Sequence, residues 1–282
     1  MGLAQKQNKI REFDFRDDHF GFVRNTLFEN TGITLSEIKR DMVYSRLIRR
    51  LRALNLKSFD EYFNLLKKSP QQEMVEFTNS LTTNLTAFFR ENHHFDYLKS
   101  TIFPELSRRK QNRRLRIWSA GCSTGEEPYS LAITLKESMQ LFPGWDVKIL
   151  ATDLDSNVVD TASQGIYALD RIEGLPKPVV SRWFNKGSGV LEGKVKVKPE
   201  LRDLITFKQL NLMHEWPMKG PFDIIFCRNV VIYFNKDTQR KLFSRYAQYL
   251  DNRAYLIVGH SESLHGVTNQ FRLLGKTMYQ KT

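Results

Sequence analysis

Two hydrophobic rhythms divide the chain. Between residues 17 and 90 apolar side chains recur every three or four positions: Phe20, Val23 and Leu27, then Val43, Leu47, Leu51 and Leu54, then Phe59, Tyr62, Phe63 and Leu66. That period lays a stripe along one helix face, and breaks at Thr31-Gly32, Asn55 and Ser69-Pro70 separate successive helices. This stretch reads as helices only. From residue 115 short apolar runs alternate with amphipathic ones. Strands are expected at 115–120 (LRIWSA), 147–153 (VKILATD), 222–227 (FDIIFC) and 254–259 (AYLIVG). Helices are expected at 128–142, opened by Pro128, at 156–165, with a serine cap and a glycine stop, and at 236–250.

Strands alternating with helices imply an α/β domain with a parallel sheet covered on both faces. Residues 166–206 interrupt the alternation with strict period-two spacing at Val195 and Val197, the pattern of a small antiparallel hairpin unit inserted as a β-subdomain. Gly187, Gly189 and Gly193 are followed by strand pattern, not by a helix, and read as turn glycines. The expected organisation is a helical domain over 1–80 and an α/β domain over 81–282, with the insertion at about 166–206.

Composition adds that 41% hydrophobic and 12% aromatic residues suffice for a packed core, which excludes a disordered chain. No apolar run is long enough to cross a bilayer, and the polar N-terminus lacks a signal-peptide core. Two cysteines, Cys122 and Cys227, are too few for a disulfide framework and lack metal spacing. A soluble, reduced, cytoplasmic protein is expected.

The net charge of +12 is concentrated. Residues 39–57 carry seven basic groups and one acid, and residues 108–116 carry six basic groups and none. Such excess attracts nucleic acid, a membrane surface or an acidic protein. The second stretch reads as a solvated loop. In the first, Arg46, Arg49 and Arg50 share a helix face distinct from the leucine stripe. Their guanidinium forks suit carboxylates and phosphates equally, so the helix alone does not identify its partner.

The chemistry-bearing glycines lie in SAGCSTGEEPYS (119–130), between the first strand and a helix. Doubly wound folds bind nucleotides there, because glycine lets backbone approach the ligand. The spacing Gly121-xxx-Gly125 without a following Gly-Lys-Ser/Thr excludes a Walker phosphate loop. Glu126 and Glu127 would repel a pyrophosphate and suit a cationic ligand. Asp153 ends the second strand, where an acid takes ribose hydroxyls. Together they point to S-adenosylmethionine, a nucleoside carrying a sulfonium and an ammonium. Adjacent His93 and His94 do not aim both rings at one metal on a helix, and no metal site is expected. GHSES (259–263) fails the hydrolase elbow GxSxG at Ser263.

SLTTNLTAFFRENHHF (80–95), WSAGCSTGEEPYSLA (118–132), FDIIFCRNVVIYF (222–234) and GHSE (259–262) together resemble the chemotaxis receptor methyltransferases, the CheR family, from about residue 15 to the C-terminus. The resemblance implies a helical N-terminal domain joined to a Rossmann-like S-adenosylmethionine-dependent methyltransferase domain that carries a β-subdomain. It implies methyl-ester formation on specific glutamates in the cytoplasmic helices of methyl-accepting chemoreceptors, with S-adenosylhomocysteine as the other product. Carried over motif by motif, the cofactor site is Asn84, Thr86, Arg90, Glu127, Asp153, Asn211, Leu212, Arg228 and Asn229. Gly121-Cys122 stands where some members have alanines. The same resemblance makes Arg46, Arg49 and Arg50 a receptor-docking face and the insertion a site for a receptor C-terminal peptide. It implies a monomeric bacterial cytoplasmic enzyme recruited to membrane receptor arrays.

A glutamate acceptor with a reference pKa of about 4.3 is ionised at neutral pH and needs no general base. It needs aim and partial desolvation. Arg90, by a bidentate fork, and Tyr233, five residues beyond Arg228, are the candidates for aiming it. The rival reading is an RNA methyltransferase, which the basic charge favours. Against it, CRNVVIYF is not the Asn/Asp-Pro-Pro-aromatic segment of amino-group methylators, and no Pro-Cys nucleophile is present. No nucleic acid and no membrane insertion are expected. Retention of Asn84, Arg90, Asp153 and Tyr233 together argues against a module that has lost transfer.

Overall fold

The computed structural model describes residues 11–68 and 70–282 and divides into two compact units, Met1–Thr82 and Thr83–Thr282. The start of the polar segment read as lacking a signal peptide lies outside the described residues. Among the described residues no helix is long and apolar enough to cross a membrane.

The first unit holds helices α1 (Asp17–Thr31), α2 (Arg40–Ala53), α3 (Phe59–Lys68) and α4 (Pro70–Leu81). Its core is the predicted stripes: Phe20, Val23, Leu27, Val43, Leu47, Leu51, Phe59, Tyr62, Phe63 and Leu66 meet Phe77 from α4. Gly32 stops α1 by donating its N–H to Phe28 O at 2.8 Å. The helical reading to residue 90 runs too far. Helix ends at Leu81, and residues 82–92 form loop and turns with Phe89 and Glu91 at positive φ.

The second unit runs α5 (His93–Tyr97), a wide π turn over Leu98–Ile102, α6 (Phe103–Arg109), β1 (Arg114–Ala120), α7 (Glu126–Lys136), β2 (Asp146–Asp153) and α8 (Ser156–Gln164). It continues through β3 (Ile166–Ala168), α9 (Lys177–Trp183), β4 (Phe184–Lys186), β5 (Lys194–Val197), α10 (Pro199–Arg202), β6 (Ile205–Gln209) and β7 (Phe222–Cys227). It closes with α11 (Lys236–Tyr249), β8 (Leu250–Val258), β9 (Phe271–Gly275) and β10 (Met278–Lys281). The main sheet has the order β6-β2-β1-β7-β8-β10-β9. It is parallel from β6 to β8, and β10 and β9 close it antiparallel. The fold is thus a Rossmann-like α/β domain with a mixed sheet, not a wholly parallel one. β7 is buried at all six positions, as the largely apolar run FDIIFC, broken only by Asp223, suits a central strand.

Several local expectations change. α7 starts two residues before Pro128, behind Gly125, where the backbone takes a left-handed φ of +100° that glycine adopts without strain. It ends at Lys136, and Met139–Leu141 forms a separate short turn. α8 is capped by Asp155, not by a serine: its carboxylate accepts from Asn157 N–H at 3.0 Å. The insertion is a three-stranded sheet, β3-β5-β4, not a hairpin, and residues 205–206 already belong to β6, paired parallel with β2. The basic 108–116 stretch is no freely solvated loop. Lys110 lies between Asp223 and Asp251, Arg109 donates to Asn252 O at 2.7 Å, and Arg116 pairs with Asp146. Asp223 is buried on β7 and also accepts from Arg116 N–H at 2.8 Å, so the loop's lysine neutralises a charge that the strand carries inside.

Candidate active site at the strand ends

The parallel strands deliver their C-terminal ends to one rim, where open α/β sheets place ligands. At the end of β1 the chain turns through Gly121 and Cys122, whose N–H groups both donate to Thr152 O on β2, at 2.8 and 2.9 Å. Ser123 then donates its N–H to Asp153 Oδ2 at 2.8 Å and its hydroxyl to Asn84 O at 2.7 Å. Asn84 Nδ2 donates to Asp155 Oδ2 at 2.7 Å, and Asp155 N–H donates to Asp153 Oδ1 at 3.1 Å. Asn84, the glycine turn and Asp153 therefore form one hydrogen-bonded corner. Burial, opposed by the Asp155 and Ser123 amides, pushes the Asp153 carboxyl up to about 6. Leu210 N–H donates to Asp153 O at 2.8 Å and brings Asn211 and Leu212 to the same strand ends. Asn211 Oδ1 accepts from Met213 N–H at 2.9 Å, and Leu212 O from Arg245 at 2.7 Å.

A second corner is ionic. Glu127 Oε1 accepts from Ser119 Oγ at 2.8 Å, and Oε2 accepts from Arg228 Nη1 at 2.9 Å. Arg228, 5% exposed, also donates to Arg90 O and lies 3.3 Å from Glu91 Oε2. Burial raises the Glu127 carboxyl pKa, and the Arg228 charge and the Ser119 hydroxyl oppose it. Burial also disfavours the Glu91 charge, yet hydrogen bonds from His260 and the Arg228 charge bring that carboxyl down to about 2.

The expected pair of free acids is corrected on this point. Glu126 is buried and bound by Arg171 and by Thr124 Oγ1 at 2.6 Å, while Glu127 is committed to Ser119 and Arg228. Buried carboxylates require partners. Glu127 still has lone pairs to spare, since two of about four acceptor positions are used. Arg171 further donates to Thr86 O at 2.8 Å, which fixes that residue's carbonyl.

Arg90 is half-buried and donates Nη1 to Leu85 O at 2.9 Å within its own loop. Beyond β7, Asn229 adopts φ +58°, and Tyr233, half-buried, ends the short turn Val231–Tyr233. The glycine turn and the 229–233 turn touch: a Cβ on Gly121 would lie 2.4 Å from Val230 Cγ2. Cys227 is buried, accepts from Tyr246 OH at 3.2 Å, and burial pushes its thiol well up, so it is no nucleophile.

Sequence reasoning missed Ser119, Ser123, Asp155, Glu91 and Arg171 in this network. Ser119 and Ser123 had a local signal in SAGCSTGEEPYS and Glu91 in the FFRENHHF motif, whereas Asp155 and Arg171 had none. His93 and His94, expected not to aim both rings at one metal, open α5 just after the positive-φ residue Glu91. The left-handed turn at Glu91 brings ligating atoms of Glu91, His93 and His94 within 4.8 Å of one another. The Glu91 oxygens are already engaged by Arg228, by His260 Nδ1 at 2.8 Å and by His260 N–H at 3.1 Å.

In the first unit the three-arginine face is divided. Arg50 pairs with Glu73 at 2.7 Å and Glu76 at 3.3 Å. Arg46 donates to Leu81 O at 2.8 Å and Thr82 O at 2.6 Å. Arg49 is exposed. Partly buried guanidinium groups take internal acceptors, so a shared face on one helix does not make a shared surface.

Residues 18–82 match the family described as CheR methyltransferase, all-alpha domain, and residues 84–280 match CheR methyltransferase, SAM binding domain. The chain is 47% identical over 270 residues to chemotaxis protein methyltransferase 2 of Pseudomonas aeruginosa, covering 95% of each chain. It is 44% identical over 266 residues to the chemotaxis protein methyltransferase of Salmonella typhimurium, covering 93% of this chain and 90% of that one. A chemotaxis protein methyltransferase of Borreliella burgdorferi is 41% identical over 274 residues, covering 95% and 96%.

Proposed function

Because the chain belongs to the CheR methyltransferase family, we propose that it transfers methyl groups from S-adenosylmethionine to glutamate side chains of chemoreceptors and releases S-adenosylhomocysteine. The observation that carries this is the pair of polar corners at the strand ends, Asn84 with Asp153 and Glu127 with Arg228, in a chain of that family. The rim fits the cofactor. Asp153 can accept ribose hydroxyls beside the glycine turn, and Glu127 has lone pairs left for an ammonium. Asn84, Thr86, Arg90, Asn211, Leu212, Arg228 and Asn229 complete the proposed cofactor site.

S-adenosylmethionine supplies an electrophilic methyl group on a sulfonium. The acceptor glutamate arrives ionised, so this chain's residues orient it and exclude water. Arg90, whose carbonyl is held by Arg228 and whose Nη1 donates to Leu85 O, is the proposed fork onto a carboxylate. Tyr233 offers a hydroxyl donor from the turn after β7. Attraction between sulfonium and carboxylate is neutralised as transfer proceeds, so partial desolvation speeds the step.

The proposed partner is the glutamate-rich cytoplasmic helix of a methyl-accepting chemoreceptor, met by Arg49 on the basic α2 face, with recruitment to membrane receptor arrays. The three-stranded β3-β5-β4 subdomain is the proposed seat of a receptor C-terminal peptide. The test is transfer from methyl-tritiated S-adenosylmethionine to receptor-containing membranes, with RNA in parallel, followed by mild alkali. Volatile tritiated methanol from the receptor band is the expected result. Alkali-stable label on RNA alone would overturn the reading.

A further inference from the structure

Of GHSE (259–262) the site as described so far uses only His260, yet Glu262 is 3% exposed and lies against the turn that carries Asn229 and Tyr233. Its Oε2 accepts from Gly259 N–H at 2.6 Å and Asn229 N–H at 2.8 Å. Its Oε1 accepts from Val230 N–H at 2.9 Å and Ile232 N–H at 3.2 Å. One carboxylate thus collects four backbone donors, three of them from the four residues 229–232. Those residues have non-repeating geometry: Asn229 is left-handed at φ +58°, and a short 3-10 turn follows at Val231–Tyr233. No sheet or helix ladder could satisfy these amides, and leaving them unpaired inside the protein would cost about 1–3 kcal/mol each.

The same turn is confined from two sides. A Cβ on Gly259 would lie 2.6 Å from Asn229 Nδ2, 2.9 Å from Asn229 N and 2.9 Å from Glu262 Oε2. A Cβ on Gly121 would strike Val230. Burial raises the Glu262 carboxyl pKa, and the amides of Gly259, Asn229 and Ile232 oppose it, favouring the charged form that can accept all four bonds.

We infer that Glu262 is a positioning residue for methyl transfer: its carboxylate clamps the 229–232 backbone between two glycines and thereby aims Tyr233 at the acceptor. The inference rests on the proposed methyl transfer and goes beyond it by assigning a role to a group that touches neither substrate.

The test uses the full chain. Glu262→Gln keeps the shape but replaces one acceptor with a donor facing two N–H groups. Gly259→Ala keeps the carboxylate and wedges the turn from the other side. Both should lower kcat for receptor methylation on the order of a hundredfold, the effect expected of roughly 1 Å of misplacement. In a Tyr233→Phe background each should cost only a few fold, because residues that act through one another are not additive. A role in stability alone would multiply fully with Tyr233→Phe. Hydrogen-exchange mass spectrometry of a peptide spanning 228–234 should show faster exchange in both variants. Unchanged exchange, or full multiplication of the kinetic effects, overturns this inference while leaving methyl transfer standing. A wild-type chain that labels no receptor overturns the functional reading, and exchange still reports whether the clamp exists. If Glu262→Gln fails to fold, Gly259→Ala decides.

Discussion

Arg228→Met should unbalance the ionic corner of the site by an amount the geometry sets. Arg228 is 5% exposed and compensates two carboxylates, Glu127 at 2.9 Å and Glu91 at 3.3 Å, while also donating to Arg90 O. Methionine fills a similar volume without charge. Removing one partner of a buried pair typically costs about 3–5 kcal/mol, because the other charge stays behind. With a urea m-value of about 3 kcal/mol/M, the unfolding midpoint should fall by about 1–1.7 M. The sign of the pH dependence follows from Glu127. Its folded carboxyl pKa already stands above the ordinary value through burial, and losing Arg228 raises it further. A carboxyl raised in the folded state destabilises more as pH climbs from its unfolded value through its folded one. The deficit against wild type should therefore be larger at pH 8 than at pH 5. Urea denaturation of both proteins at the two pH values gives the answer. Adding Glu127→Gln to Arg228→Met removes the stranded charge and should recover part of the loss at pH 8. A midpoint within about 0.3 M of wild type at both pH values, or a double variant weaker than the single one, would refute the reasoning.

Three further outcomes are expected. Arg90→Ala should cut receptor methylation on the order of a hundredfold with the fold retained, and a variant with full transfer removes Arg90 from the aiming role. Because Asp153 titrates near 6 in the free chain and ribose hydroxyls favour its ionised form, S-adenosylhomocysteine affinity by calorimetry should weaken about tenfold from pH 7 to pH 5. Asp153→Asn should bind more weakly at pH 7 and show no such slope. Arg49→Glu should lower receptor methylation several-fold and leave cofactor affinity intact, whereas Arg50→Glu, placed beside Glu73 and Glu76, should lower the melting temperature instead.

What sequence could show was whatever depends on near neighbours. Helix periodicity marked the stripes that fill the first unit's core, and short, mainly apolar runs marked β1, β2 and β7. Four motifs named the family, because coincidence at four places in order is improbable. The failures share a cause. The closing β9-β10 hairpin and the edge strand β6 carry weak local patterns and are strands because partners in the sheet bond them. α7 begins where Gly125 can turn, not where Pro128 suggests.

The chain's order of residues by itself determined the two-part plan, the placement of a nucleoside site after the first strand and the reaction class of the family. Only tertiary structure decided which charges are spent inside. Glu126, Glu127, Arg46, Arg50 and Lys110 look like free surface groups in a string of letters, yet each finds an internal partner distant in sequence. A buried charge is stable only beside its complement, and which complement lies nearby is set by how the strands and helices pack. Glu262 is the same case: its four amide donors come from two segments some 30 residues apart, joined because β7 and β8 lie side by side in the sheet.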